Sequence, residues 1–263
     1  MLCALVGGLA YFFHLFVDDA RIGKSLVKNT LFSISNVRGI WYVQIYVFLM
    51  LLSPLINTAL NNMTKNQVLY LIAALTIISS DFGWFWGHEV NKDGYNLINF
   101  IWLYIIGYFL RNYWKIDRYN PYLYLFISVV CSIMHSALFL SCREYVAWAY
   151  NNPFVIVSSV AFFLFMISFK FKSLWINRIA ASTLVVYLVH ENSYVSPWLY
   201  GSQFSSVYSQ NIIYFALAVF AIYFCCVVID FVLRGLVANN MLKYVYPLLR
   251  DSGKRIFLTI KNK

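Results

Sequence analysis

WYVQIYVFLMLLSPLINTAL, residues 41–60, carries no charged side chain, and its strongly polar members are Gln44, Ser53, Asn57 and Thr58. A stretch this long and this apolar matches the hydrocarbon thickness of a bilayer when coiled as a helix. Backbone amides and carbonyls have no water to bond in hydrocarbon, so the segment must satisfy them within itself, as a helix does. Barrel strands would be shorter and would alternate in polarity.

The same pattern repeats along the 263 residues. Apolar runs occupy about 2–17, 41–60, 67–82, 96–112, 121–141, 153–169, 179–196 and 211–233, separated by short charged loops. Hydrophobic residues make up 62% of the chain and charged ones 11%, with a mean hydropathy of +0.68, which is more apolar surface than a water-soluble domain can hide. The expected fold is therefore all-α, a polytopic transmembrane helix bundle of about eight spans in an integral membrane protein. The runs at 67–82 and 153–169 are the shortest and also fit re-entrant elements.

Charge sets the expected orientation. With the tail inside, fourteen Lys and Arg fall on the inner side, among them Lys65, Arg111, Lys115, Arg178 and Arg234, and six on the outer, so the positive-inside rule puts both termini in the cytoplasm. The first loop, 18–40, runs against the rule with four cations; its interleaved Ile22, Leu26, Leu31 and Phe32 suit an amphipathic segment lying on lipid headgroups. The net charge of +10 is accounted for by topology and membrane lipids as partners, which leaves no case for nucleic acid. Residues 1–233 read as one bundle domain and 234–263 as a basic cytoplasmic tail. The five cysteines have no ligand spacing, so neither a disulfide nor a metal site is expected, and no cofactor.

In this topology His14, His88, His135 and His190 all belong to the outer side, with Asp81 and Glu89. Ionisable groups are costly in a membrane and gather where a cavity or partner receives them. His190–Glu191, in YLVHENSY (187–194), is the sharpest pair: a histidine can take a hydroxyl proton and a carboxylate can orient it. Neighbours on a helix point about 100° apart, so adjacency alone does not bring the two to one spot, and at least one needs a further partner. The loop SDFGWFWGHEVNKDGYN (80–96) sets Trp84 and Trp86 beside His88 and Glu89, flat apolar faces next to hydrogen-bonding groups, as a sugar ring requires. Interfacial aromatic belts produce the same composition.

WYVQIYVFLMLLSPLIN (41–57) resembles the Trp-Tyr-x-x-x-Tyr entry and Leu-Ser-Pro-x-x-Asn exit of a central helix in the acyltransferase-3 family. FIWLYIIGYFLR (100–111) resembles that family's Tyr-x-x-Gly helix, and VVYLVHENSYV (185–195) its late Tyr-Leu-x-His helix. The resemblance implies a membrane acyltransferase of the bacterial inner or plasma membrane, with acetyl-CoA as donor substrate and a surface polysaccharide or related glycan as acceptor. Within such a protein the residues favour His190 as supporting base, Glu191 as its orienter or alternate base, and His88, Glu89, Trp41 and Gln44 near the acceptor, with Asn57 and Tyr187 as helix-packing hydrogen bonders. The resemblance also implies a departure: the family's first two helices, with an Arg-Gly start and a histidine, have no counterpart, and LCALVGGLAYFFHLFV (2–17) aligns with the third. Three alternative explanations follow as expectations: a misplaced start, a truncated gene, or a shortened protein that has lost catalysis. Two other classes remain open, a transporter or flippase of glycan or lipid-linked sugar, and a noncatalytic partner subunit.

Overall fold

The structure is a computed structural model describing residues 41–116, 119–141, 149–169, 172–192, 195–201 and 211–235. The first run at 2–17, the 18–40 segment and the basic tail beyond 235 lie outside the described residues. Among those described, every element is helical: α1 (Trp41–Asn61), α2 (Lys65–Thr76) running into a π-helical segment (Ile77–Phe85), α3 (Leu97–Tyr113), α4 (Pro121–Ser141), α5 (Pro153–Ser168), α6 (Leu174–Ala181), α7 (Thr183–His190), α8 (Ser196–Tyr200) and α9 (Ile212–Leu233). Four stretches are long and apolar enough to cross a membrane: Trp41–Asn61, Lys65–Phe85, Pro121–Leu138 and Ile212–Leu233; α5 and the combined α6–α7 are shorter.

The chain divides into two units, one of residues 41–172 and one of 1–40 with 173–263. In the first, α1, α2 and α3 pack around Leu60, Val68 and Ile105. Thr64 and Gln67 form a reciprocal cap at the start of α2: the Thr64 amide donates to Gln67 Oε1 at 2.7 Å and the Gln67 amide to Thr64 Oγ1 at 3.4 Å. α1 and α3 run parallel, because Tyr104 bonds Asn57 at 2.9 Å and Tyr108 bonds Asn61 at 3.0 Å, one turn further along both. Asn57 is thus the helix-packing hydrogen bonder its place in the motif suggested.

α4 and α5 form an antiparallel hairpin sealed by hydroxyls. Ser158 bonds Ser128 at 3.1 Å, Ser132 at 2.9 Å and the Ser128 carbonyl at 3.0 Å; small side chains let two helices approach where hydrocarbon offers no hydrophobic drive. Asn152 caps α5 ahead of Pro153 at its first position, where proline's missing amide costs nothing.

The run at 67–82 proves longer than its hydropathy. The helix continues to Phe85, so Ser80, Asp81 and Trp84 are helical and not part of the outer loop expected from residue 80. The π-helical winding here is closed by the Trp86 amide bonding the Asp81 carbonyl five residues back at 3.1 Å.

In the second unit, the run expected at 179–196 is not one unbroken helix. Ser182 separates α6 from α7, and α7 ends at His190, six residues before α8 begins at Ser196. α9 packs on α7. Where α9 leaves its apolar run, buried Asp230 accepts from Arg234 Nε at 2.7 Å, and the same guanidinium bonds the Ala181 carbonyl at the end of α6. One arginine therefore neutralises a buried carboxylate and caps a helix C-terminus.

Candidate functional site

His190 is the last residue of α7, and Glu191 caps that helix with φ −87° and ψ 0°. Because Glu191 sits where the helix stops, its side chain is freed from the 100° offset that separates helical neighbours, and its Oε1 lies 3.5 Å from His190 Nε2. The further partner expected for the pair is also present: His190 Nδ1 lies 2.6 Å from the Val186 carbonyl one turn back. A carbonyl only accepts, so Nδ1 carries the hydrogen and the neutral ring presents Nε2 as its proton acceptor. The carboxylate stands beside the nitrogen that would become protonated. Both side chains are partly exposed, 26% and 47%, so the pair is reachable by a reactant. The Tyr187 ring lies edge-on to His190 at 6.2 Å.

The remaining expected site residues belong to the first unit. At the end of that unit distal to Arg111, His88 is exposed, its ring 5.8 Å from Phe82, and its amide bonds the Phe82 carbonyl at 2.9 Å. Glu89 pairs with Lys92 at 3.4 Å on the surface. Trp84, Phe85 and Trp86 form a short ladder of rings 6.3 and 5.3 Å apart, with Trp86 66% exposed. Trp41 packs against Tyr95 at 4.7 Å and Tyr150 at 5.6 Å, and Gln44 is half-buried one turn further along α1. Trp41 is thus committed to an aromatic cluster that joins α1 to two loops. Among the described residues, no three His, Cys, Asp or Glu side chains gather as a metal site would require.

Beneath that surface lies a network the sequence reading did not contain. Asn151 is fully buried, and its amide nitrogen donates to the carbonyls of Ser79 and Asn91, while Ser80 Oγ donates to the Asn151 carbonyl at 3.0 Å. Asn96 bonds Asn91 Oδ1 at 2.7 Å and caps α3, and Asn152 lies 3.4 Å from His135 Nδ1. Gly83 permits this approach: a Cβ there would collide with the Asn91 carbonyl. The π-helical segment, the 86–96 loop and the α4–α5 connection are therefore held together by asparagines, and His135 joins the same end through Asn152. Ser79 Oγ, Asn91 Nδ2, both polar atoms of the Asn99 amide and Trp102 Nε1 are buried there without a bond among the described residues.

Described elements that are all helical, with four apolar helices long enough to cross a membrane, define a class, that of integral membrane proteins. The family model described as an acyltransferase domain matches residues 1–231, and the chain belongs to that family, acyltransferase-3. It is an integral membrane protein of the acyltransferase type. Neither a curated protein nor a solved structure matches it.

Proposed function

We propose that the chain transfers an acetyl group from acetyl-CoA to a hydroxyl of a surface polysaccharide or related glycan at a bacterial plasma membrane. The observation that carries this reading is the His190 ring, pinned through Nδ1 to the Val186 carbonyl with Nε2 beside Glu191. In the reaction, Nε2 takes the acceptor's hydroxyl proton as its oxygen bonds the acyl carbon. The thioester C–S bond breaks, and the proton passes from the imidazolium to the departing thiolate, so an ester and a free thiol result. The Val186 carbonyl holds the ring through Nδ1–H, and Glu191, beside Nε2, stands against the transient imidazolium. As a separate assignment on the first unit, His88, Glu89, Trp84 and Trp86, exposed or half-buried there, are proposed to bind glycan, with Trp41 and Gln44 supporting them.

The test is acetyl transfer in membranes carrying the chain. Radiolabel from acetyl-CoA should enter glycan with the native protein and fall to background with His190→Ala at equal membrane abundance. Undiminished transfer by His190→Ala removes the histidine from the chemistry. Glycan movement without consumption of acetyl-CoA replaces the reading with transport.

A further inference from the structure

The paired rungs between α1 and α3 enclose a groove with a chemistry of its own. Tyr104 and Tyr108 donate to the amide oxygens of Asn57 and Asn61, which orients both amides and leaves each with a free NH2 group among the described residues. These side chains, with Gly107 between the tyrosines and Arg111 one turn beyond, line a cavity of about 520 Å³. That volume is the size of a small-ligand site. Arg111 forms no ion pair among the described residues, and neither do Lys65 and Lys115 at the same end of the unit.

Polar groups within a membrane-embedded bundle are costly unless something fills their hydrogen bonds, and a guanidinium without an ion pair needs counter-charge as well. Two amide donors from α1 and one planar guanidinium from α3 offer donors in excess and a positive charge, the pattern that receives phosphate. The cations Lys65, Arg111 and Lys115 mark this end as cytoplasmic by the positive-inside rule, where anionic lipid is richest.

We propose that the α1–α3 groove binds a phosphate group through Arg111 and the amides of Asn57 and Asn61, its source being an anionic phospholipid headgroup or a soluble phosphate ester. The site itself does not depend on the His190 reading; of its two sources the lipid headgroup goes beyond acyl transfer, while a soluble phosphate ester includes the proposed donor and in that case rests on the proposed function. Gly107 supplies a probe, because a Cβ there meets nothing within 4 Å and a larger side chain would extend from it into the groove that Gly107 lines.

The experiment is thermal unfolding of the purified full chain in neutral detergent, at constant ionic strength, titrated separately with phosphatidylglycerol, phosphatidylcholine and inorganic pyrophosphate. Stabilisation by phosphatidylglycerol above that by phosphatidylcholine assigns a lipid headgroup; stabilisation by pyrophosphate alone assigns a soluble phosphate ester. In either case Arg111→Gln should weaken the apparent affinity about tenfold or more, the worth of one charge-assisted bond, and Gly107→Leu should abolish the effect. Equal stabilisation by both lipids with none by pyrophosphate, or a response unchanged in both variants, overturns the site.

Discussion

Ser53 Oγ donates a 2.8 Å hydrogen bond to the Met50 carbonyl. That carbonyl is the one Pro54 cannot serve, since proline has no amide hydrogen for the residue four places back. In hydrocarbon an unmet carbonyl is costly, so the Ser-Pro pair works as a unit: the proline opens the ladder and the preceding hydroxyl closes it. Ser53→Ala should cost about 1 kcal/mol or somewhat more. Pro54→Ala restores an amide, so Ser53→Ala made on that background should be nearly neutral. A double-mutant cycle by thermal unfolding measures the difference; additive losses would mean that the hydroxyl acts elsewhere.

Asn151 is the joint of the first unit. Its side-chain amide nitrogen serves two backbone carbonyls, of Ser79 and Asn91, 72 and 60 residues away along the chain. Asn151→Leu removes both bonds and should destabilise by about 2–4 kcal/mol, two buried acceptors losing their donors. Asn151→Asp should be worse than Leu, because a carboxylate brings negative charge to two carbonyls and has no hydrogen to offer. The local readout is tryptic cleavage at exposed Lys92, in the loop that the joint holds, which should accelerate in both variants.

Two glycines should respond in opposite directions. Gly94 has φ +78°, and a Cβ there would stand 2.6 Å from the Asn151 backbone nitrogen and 2.9 Å from Tyr150 Cβ. Gly94→Ala combines a disfavoured backbone with a collision and should lower stability by about 2 kcal/mol or more. Gly107 lies inside α3 with open space around it, so Gly107→Ala should gain about 0.5–1 kcal/mol from helix propensity alone. Unfolding midpoints moving the same way would contradict the backbone assignment at one of them.

Much of the architecture is legible in composition because hydropathy summed over a span outweighs local noise. The runs at 121–141 and 211–233 become Pro121–Ser141 and Ile212–Leu233, punctuated by Asn120 before Pro121 and by Asn211 as a cap. Where hydropathy misleads, the cause is specific. Asp81 and Gly83 end the apolar run near 82, yet the backbone winds on to Phe85 because Ser79, Ser80 and Gly83 bury against Asn91 and Asn151. Ser182 and the end of α7 are invisible to hydropathy, which registers side chains and not backbone turns. At the site, the His190–Glu191 pair is legible but its contact is not, since that depends on the helix ending between them. The asparagine network resembles loop composition until distant segments are brought together.

The Asp230–Arg234 pair makes a prediction that separates charge from capping. Asp230 is fully buried in α9, and Arg234 both pairs with it and bonds the Ala181 carbonyl. Arg234→Ala strands a buried carboxylate and should cost on the order of 2–3 kcal/mol, below the value for a wholly buried pair because the arginine is 40% exposed. Asp230→Asn with Arg234→Ala removes the stranded charge and should recover part of that loss, but not the Ala181 cap. Full recovery would show that the Ala181 bond contributes nothing, and no recovery that the carboxylate is not what destabilises the single variant.

His190 and Glu191 should separate in kinetics if the ring is the base and the carboxylate its support. His190→Ala removes the acceptor nitrogen and should lower kcat by about 10²–10⁴, the range for a positioned general base. His190→Gln is similar in size but cannot exchange a proton near neutral pH, so it should fail to rescue. Glu191→Gln keeps an oxygen acceptor near Nε2 and removes the charge that faces the imidazolium; kcat should fall by about tenfold, with KM for the acceptor held, because the loss is confined to the transition state. Exogenous imidazole should restore part of the activity of His190→Ala, where the deleted ring leaves space, and none to Glu191→Gln, where the ring is still in place. A Glu191→Gln enzyme with unchanged kcat and raised KM would move the carboxylate from ring support to acceptor binding.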